Sequence, residues 1–154
     1  MIVRLTILGE PASKANSRQL VKFGRGAEAR PAIIKSQKAR SYERDALLQI
    51  PAHARLALTG PVRVTLRIFY ASERPDLDES VVLDVLQNRY RGKGEARELV
   101  QRGVYANDRQ VREKHVFHAI DRANPRAEIE VEPLLAQQVA LEMGREVETE
   151  GVPF

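Results

Sequence analysis

The sequence predicts a single α/β (α+β) domain, and three observations lead there. Val62, Val64, Leu66, Ile68 and Tyr70 alternate with polar residues, as do Ala127, Ile129 and Val131; that is the period of a strand with one buried face. From Ser36 and from Ser80 the apolar residues recur at helical spacing instead. Hydrophobic residues make up 43% and charged residues 30% of the 154, an ordinary globular composition with enough chain for a real core.

Val3, Leu5 and Ile7 alternate with Arg4 and Thr6 as an opening strand, ended by Gly9 and Pro11. The small, basic stretch from Pro11 to Arg18 is a loop able to bring N–H groups and cationic heads to phosphate oxygens. Leu20–Phe23 and Ala32–Lys35 read as short strands of a hairpin around Gly24-Arg25-Gly26. Ser36 is an N-cap for a helix reaching Ile50, where Pro51 closes it. Its core face is Ala39, Tyr42, Ala46, Leu47 and Ile50. Lys38, Arg40 and Arg44 remain outside, to meet a nucleic-acid backbone or only solvent.

The strand over residues 62–70 delivers the chain to Arg74-Pro75-Asp76-Leu77-Asp78-Glu79. Carboxylates crowded this closely repel unless a cation sits among them. Asp76 and Asp78 point the same way on extended chain and form a ready pair of oxygen ligands for a hard divalent cation. The same residues would also serve as a solvated turn and helix N-cap. A largely buried helix follows over residues 80–90, with Ser80, Asp84, Gln87 and Arg91 as its polar stripe. Asp84 on that stripe faces either the same site or water. Gly92 and Gly94 break the pattern, and Glu95–Gln101 is expected to add a short helix. The turn Gly103–Asp108 leads to a final pair of strands, Gln110–Ile120 and Ala127–Val131, joined through Asp121–Pro125. A helix near Leu134–Met143 and an acidic tail end the chain. The expected division is a main domain over 1–133 and an appended segment over 134–154.

Charge is unevenly placed within a net of +4. Residues 1–55 hold 11 Lys/Arg against 4 Asp/Glu, and residues 126–154 hold 2 against 7. A basic first third suits a polyanionic partner such as DNA, with a metal held further along. The absence of cysteine excludes disulfides and thiol chemistry and fits a cytoplasmic setting. No apolar run reaches the roughly 20 residues a membrane helix needs, and the N-terminus lacks a signal-peptide pattern. Neither a GxxxxGK[ST] nor a GxGxxG nor a GxSxG motif occurs, so nucleotide-binding and acyl-transfer enzymes have no support. His115 and His118, three apart in a predicted strand, leave opposite faces and do not form a ligand pair.

Five segments together resemble a known family. Gly9-Glu10-Pro11 with Lys14 and Arg18, Lys38–Glu43, Arg74–Asp78, Gly103–Val111 and Pro125–Val131 come in the order and rough spacing of the RusA-like Holliday-junction resolvases, over residues 1–132. The DLD and ANDRQV segments are the most specific parts. The resemblance implies a small mixed β-sheet with helices packed against it, and a homodimer that nicks four-way DNA junctions symmetrically with Mg²⁺, or Mn²⁺ in its place. It makes Asp76, Asp78 and Asp108 the catalytic metal-binding carboxylates, with Asp84 a further candidate ligand. Lys14, Arg18, Lys38, Arg40 and Arg74 become DNA contacts. Two positions depart from the pattern, which commonly has Asn after the second Asp and a lysine four residues beyond it. Here Glu79 and Val82 stand there, so Arg74 or Lys114 is left to supply the cation. The alternative is a protein of this fold that binds junctions or duplexes without productive chemistry.

Overall fold

The computed structural model describes residues 1–13, 18–28, 30–74 and 77–134. Eight strands and two helices occur among them: β1 (Val3–Leu8), β2 (Arg18–Phe23), β3 (Arg30–Lys35), α1 (Gln37–Gln49), β4 (Val62–Tyr70), α2 (Ser80–Val85), β5 (Arg89–Arg91), β6 (Glu98–Gln101), β7 (Val111–Ile120) and β8 (Arg126–Pro133). The expected mixed α+β class is what the chain adopts. Its centre is a four-stranded sheet in the order β1-β8-β4-β7, with β7 parallel to β4 and the other pairs antiparallel. β2–β3 and β5–β6 are separate hairpins.

Alternation decides which face is covered. Val3, Leu5 and Ile7 of β1, Val62 to Tyr70 of β4 at every second position, and Ala127, Ile129 and Val131 of β8 are all buried. Tyr42, Ala46 and Ile50 join them from α1, and Val82, Leu83, Val85 and Leu86 from α2, in one core. The other sheet face is a lattice of charges. Arg63 lies between Glu113 and Glu132, and Arg4 pairs with Glu130. Arg126 reaches Asp121 and Glu128 while its guanidinium stacks on Phe69. β7 is an edge strand, with Phe117 and Ile120 exposed.

α1 begins where Ser36 marks it. The Ser36 hydroxyl accepts from the Ala39 N–H at 3.1 Å, satisfying one of the unpaired donors of the first turn. Its far end is clamped to β1, because Gln49 accepts from the Leu8 N–H and donates to the Leu8 carbonyl.

Three expectations are corrected. The helix over 80–90 stops at Val85, because Arg89–Arg91 leaves to pair with Glu98–Gln101. A helix over 95–101 is replaced by a 3₁₀ turn at Gly94–Ala96 and strand β6. The last two strands are not neighbours, since β4 lies between them. The helix and acidic tail expected beyond Leu134 lie outside the described residues.

Candidate functional site

The stretch from Gly103 to Asp108 is stitched to the end of α2. Val104 donates to the Leu86 carbonyl at 2.7 Å and Asn88 to the Tyr105 carbonyl at 3.1 Å. Gly103 donates to the Asn88 side chain at 2.8 Å, and the buried Tyr105 hydroxyl to the Leu83 carbonyl at 2.6 Å. Gly103 cannot carry a side chain here: a Cβ would sit 2.2 Å from the Leu86 carbonyl oxygen. Within the ANDRQ segment, Asn107 and Gln110 form a reciprocal cap on the 3₁₀ turn Asp108–Gln110. Gln110 also donates to the Leu58 and Gly60 carbonyls. The cap leaves the Asp108 side chain exposed, while its N–H donates to the Gln87 side chain at 3.1 Å.

These bonds bring Asp108 to the same pocket as Asp84. The pocket, of about 220 Å³, is lined by Lys35, Ala39, Glu43, Ser80, Val81, Asp84 and Asp108. Asp84, which the sequence left between site and solvent, lines this pocket. Gln87 donates to its Oδ1 at 2.7 Å. The Lys35 Nζ lies 2.9 Å from its Oδ2 and 2.5 Å from Glu43 Oε2. Arg89, less exposed than Lys35, stands 3.2 Å from Glu43 Oε1 and 3.8 Å from Asp84 Oδ2. Burial pushes the Lys35 ammonium down, but its bonds to Glu43 and Asp84 and their charges outweigh that, so its pKa ends above the ordinary value. The Tyr105 phenol is pushed up by burial and further by Asp108 and Asp84.

Asp78 stands at the start of α2, where its Oδ1 accepts from the Ser80 N–H at 3.0 Å. That bond closes a turn just ahead of α2, whose N-cap position is Glu79, and Asp78 is not among the side chains lining the pocket. Its near neighbour is Tyr70, whose phenol burial pushes up to about 12, aided by the Asp78, Glu10 and Glu79 carboxylates. Asp76 lies outside the described residues, as does Lys14. Arg18 is seen only as backbone in β2, opposite Lys35. Among the described residues no three His, Asp or Glu side chains gather as a ligand set. The donors Asp84 and Asp108 are carboxylates in one pocket, which fits a hard cation such as Mg²⁺ once a third oxygen ligand joins them.

The expected cationic residues divide into two groups. Arg74 donates to Glu10 at 2.7 Å, and Lys38 stands 3.8 Å from the same carboxylate. Glu10 also accepts from the Ala71 N–H at 2.6 Å. Arg74 thus holds the loop after β4, and Lys38 the start of α1, against the loop after β1. Arg40 and Arg44 instead line a shallow cavity on the outer face of α1 with Gln37 and Ser41. Lys114, the other candidate cation, pairs with Glu79 at 2.9 Å, a contact that holds the Glu79 carboxyl below its ordinary value. Val82, at the position where the resemblance implies a lysine, is fully buried in the core. His115 bonds Glu113 while His118 lies against the Tyr70 ring, on opposite faces as expected.

Sequence reading missed Lys35, Glu43 and Arg89. A lone lysine closing a strand carries no motif. One signal was available: Ala39 and Glu43 sit four apart on α1, which places Glu43 on the edge of the core face, where a charge needs a partner. Compared with known proteins, the chain matches no family model and no curated sequence. No helix among the described residues is long and apolar enough to cross a membrane.

Proposed function

We propose that the protein is a Mg²⁺-dependent endodeoxyribonuclease of RusA-like type, acting as a homodimer on four-way DNA junctions in the cytoplasm. The observation that carries the reading is the meeting of Asp84 and Asp108 in one pocket, from segments 24 residues apart. Asp84 and Asp108 are the pocket carboxylates that would hold the metal, with Asp76 and Asp78 as the further ligands that the resemblance implies. The chemistry a bound Mg²⁺ supplies in such a cradle is charge neutralisation at the phosphate and activation of water. The chain's own contribution is to fix the carboxylates, through Gln87 to Asp84 and through the Asn107–Gln110 cap under Asp108. Arg40 and Arg44 on the outer face of α1 are suited to phosphates along an arm of the junction.

The test is nicking of a labelled synthetic four-way junction with Mg²⁺, set against a linear duplex of the same sequence. Wild type is expected to nick the junction symmetrically. Asp108→Asn is expected to lose at least about 100-fold, since even residues supporting metal ligands cost roughly 10–100-fold. Equal activity in the two proteins sinks the reading. A second reading, junction binding without cleavage, is favoured by the burial of Val82 where the resemblance implies a lysine. Salt-sensitive binding with no Mg²⁺-dependent nicking selects it.

A further inference from the structure

Glu43 and Asp84 already have partners other than Lys35. Gln87 bonds Asp84 Oδ1, and Arg89 reaches both Glu43 and Asp84 from the less exposed side. Lys35 is a second cation, on the outer side, with 39% of its side chain exposed against 21% for Arg89. An ammonium carries three N–H donors. Two are used, one on Glu43 and one on Asp84, and the third remains for whatever enters the pocket that Lys35 lines with Asp108 and Ser80.

Charge points the same way. Glu43, Asp84 and Asp108 bring three negative charges to the pocket, and Arg89, paired with Glu43 and Asp84, one positive charge beside it. A phosphate, itself an anion, would be repelled from so acidic a wall unless a cation faced it. The alternatives named by sequence, Arg74 and Lys114, do not line this pocket and pair with Glu10 and Glu79 instead, and Val82 is buried in the core. Lys35 closes β3 immediately before the α1 cap, so its backbone is fixed by the ladder to Arg18 on one side and the helix start on the other.

We propose that Lys35 is the phosphate-facing cation of this pocket, held in place by Glu43 and Asp84 and donating its third N–H to a non-bridging oxygen of the DNA backbone. This rests on the reading of the protein as a DNA-binding nuclease. It assigns the missing positive charge to a strand of the hairpin rather than to α2.

The test measures junction affinity by fluorescence anisotropy in EDTA over a range of salt concentrations, so it does not depend on cleavage. Each phosphate contact contributes roughly 0.9 to the slope of log K against log salt. Lys35→Met is expected to lower the slope by about that amount, and Lys35→Arg to keep it. Arg4→Met, which removes a charge from the opposite sheet face, is expected to leave it unchanged. Circular dichroism checks folding; if Lys35→Met is unfolded, Lys35→Gln, which keeps a hydrogen-bonding head without charge, replaces it. A Lys35→Met slope equal to wild type overturns the assignment alone, and so does an equal drop in Arg4→Met. Wild type without any salt-dependent junction binding overturns the DNA-binding reading and the assignment together. In Mg²⁺, single-turnover nicking at saturating junction is expected to fall at least about tenfold in Lys35→Met and to be largely retained in Lys35→Arg.

Discussion

Gly103→Ala is the sharpest perturbation of the seam between α2 and the turn that carries Asp108. A methyl group there would lie 2.2 Å from the Leu86 carbonyl oxygen, 2.4 Å from the Gln87 carbonyl carbon and 2.6 Å from its oxygen. All three are backbone atoms, so no side chain can swing aside. The Leu86 carbonyl is itself bonded to the Val104 N–H, and the Gly103 N–H to Asn88. Relief therefore requires the two segments to part and several hydrogen bonds to lengthen. Overpacking costs about 1–3 kcal/mol in general, and a clash against fixed backbone belongs at the top of that range, about 3 kcal/mol. In a protein of this size each kcal/mol lowers the melting temperature by about 2–4 °C, so a drop of roughly 6–12 °C is expected. Gly60→Ala is the control, because a Cβ there meets nothing within 4 Å; its expected effect is within about 0.5 kcal/mol. Thermal and urea unfolding of the three proteins decide the matter. A Gly103→Ala melting temperature within 2 °C of wild type, a shift of less than about 1 kcal/mol, would show that the seam is not closed as described.

Two smaller perturbations test the same architecture. Tyr105→Phe removes the hydroxyl that donates to the Leu83 carbonyl. Because the Leu86 N–H also reaches that oxygen at 3.3 Å, the carbonyl is not orphaned, and a loss of about 1 kcal/mol in urea unfolding is expected. Lys114→Met tests the Glu79 pairing through pH. Lys114 holds the Glu79 carboxyl below its ordinary 4.5, so the stabilisation is fully present above that value and is lost as pH falls through the lowered one. For an exposed pair the difference between wild type and Lys114→Met should be about 0.2–1 kcal/mol at neutral pH. It should shrink as pH falls below the ordinary carboxylate value and through the lowered one, and a difference that does not shrink in acid counts against the pairing.

The parts of the fold legible in the sequence are those where one residue's environment is set by its immediate neighbours. Val62 to Tyr70 alternate because one face of β4 meets the core, and Ser36 caps α1 through a bond three residues away. The helix from Ser80 was overextended because Arg89–Arg91 looks no different from a helix end until Glu98–Gln101 is alongside. The order of the central sheet is hidden for the same reason: nothing in the short link from Asp121 to Pro125 shows that β4 enters between the strands it joins. The site followed this division. Asp84 and Asp108 could be singled out as carboxylates, but their meeting depends on the seam at Leu86 and Tyr105. Lys35 has meaning only beside Glu43 and Asp84, which come from two other elements.

The passage of β4 between β7 and β8 has a kinetic consequence. Asp121 to Pro125 must cross the end of β4, a span of roughly two strand spacings of about 4.8 Å, and the Asp121 N–H rests on the Tyr70 carbonyl as it does so. So short a link closes quickly by itself, within about a microsecond to ten for a hairpin, and joins the two strands directly to each other. β4 would then be shut out, and it could enter only after that hairpin opened again. Productive folding needs β4 in place first, so this quick local closure is also a trap. A refolding experiment should show it as a slow phase that shortens when residues are inserted between Arg122 and Asn124, where the premature hairpin closes less readily.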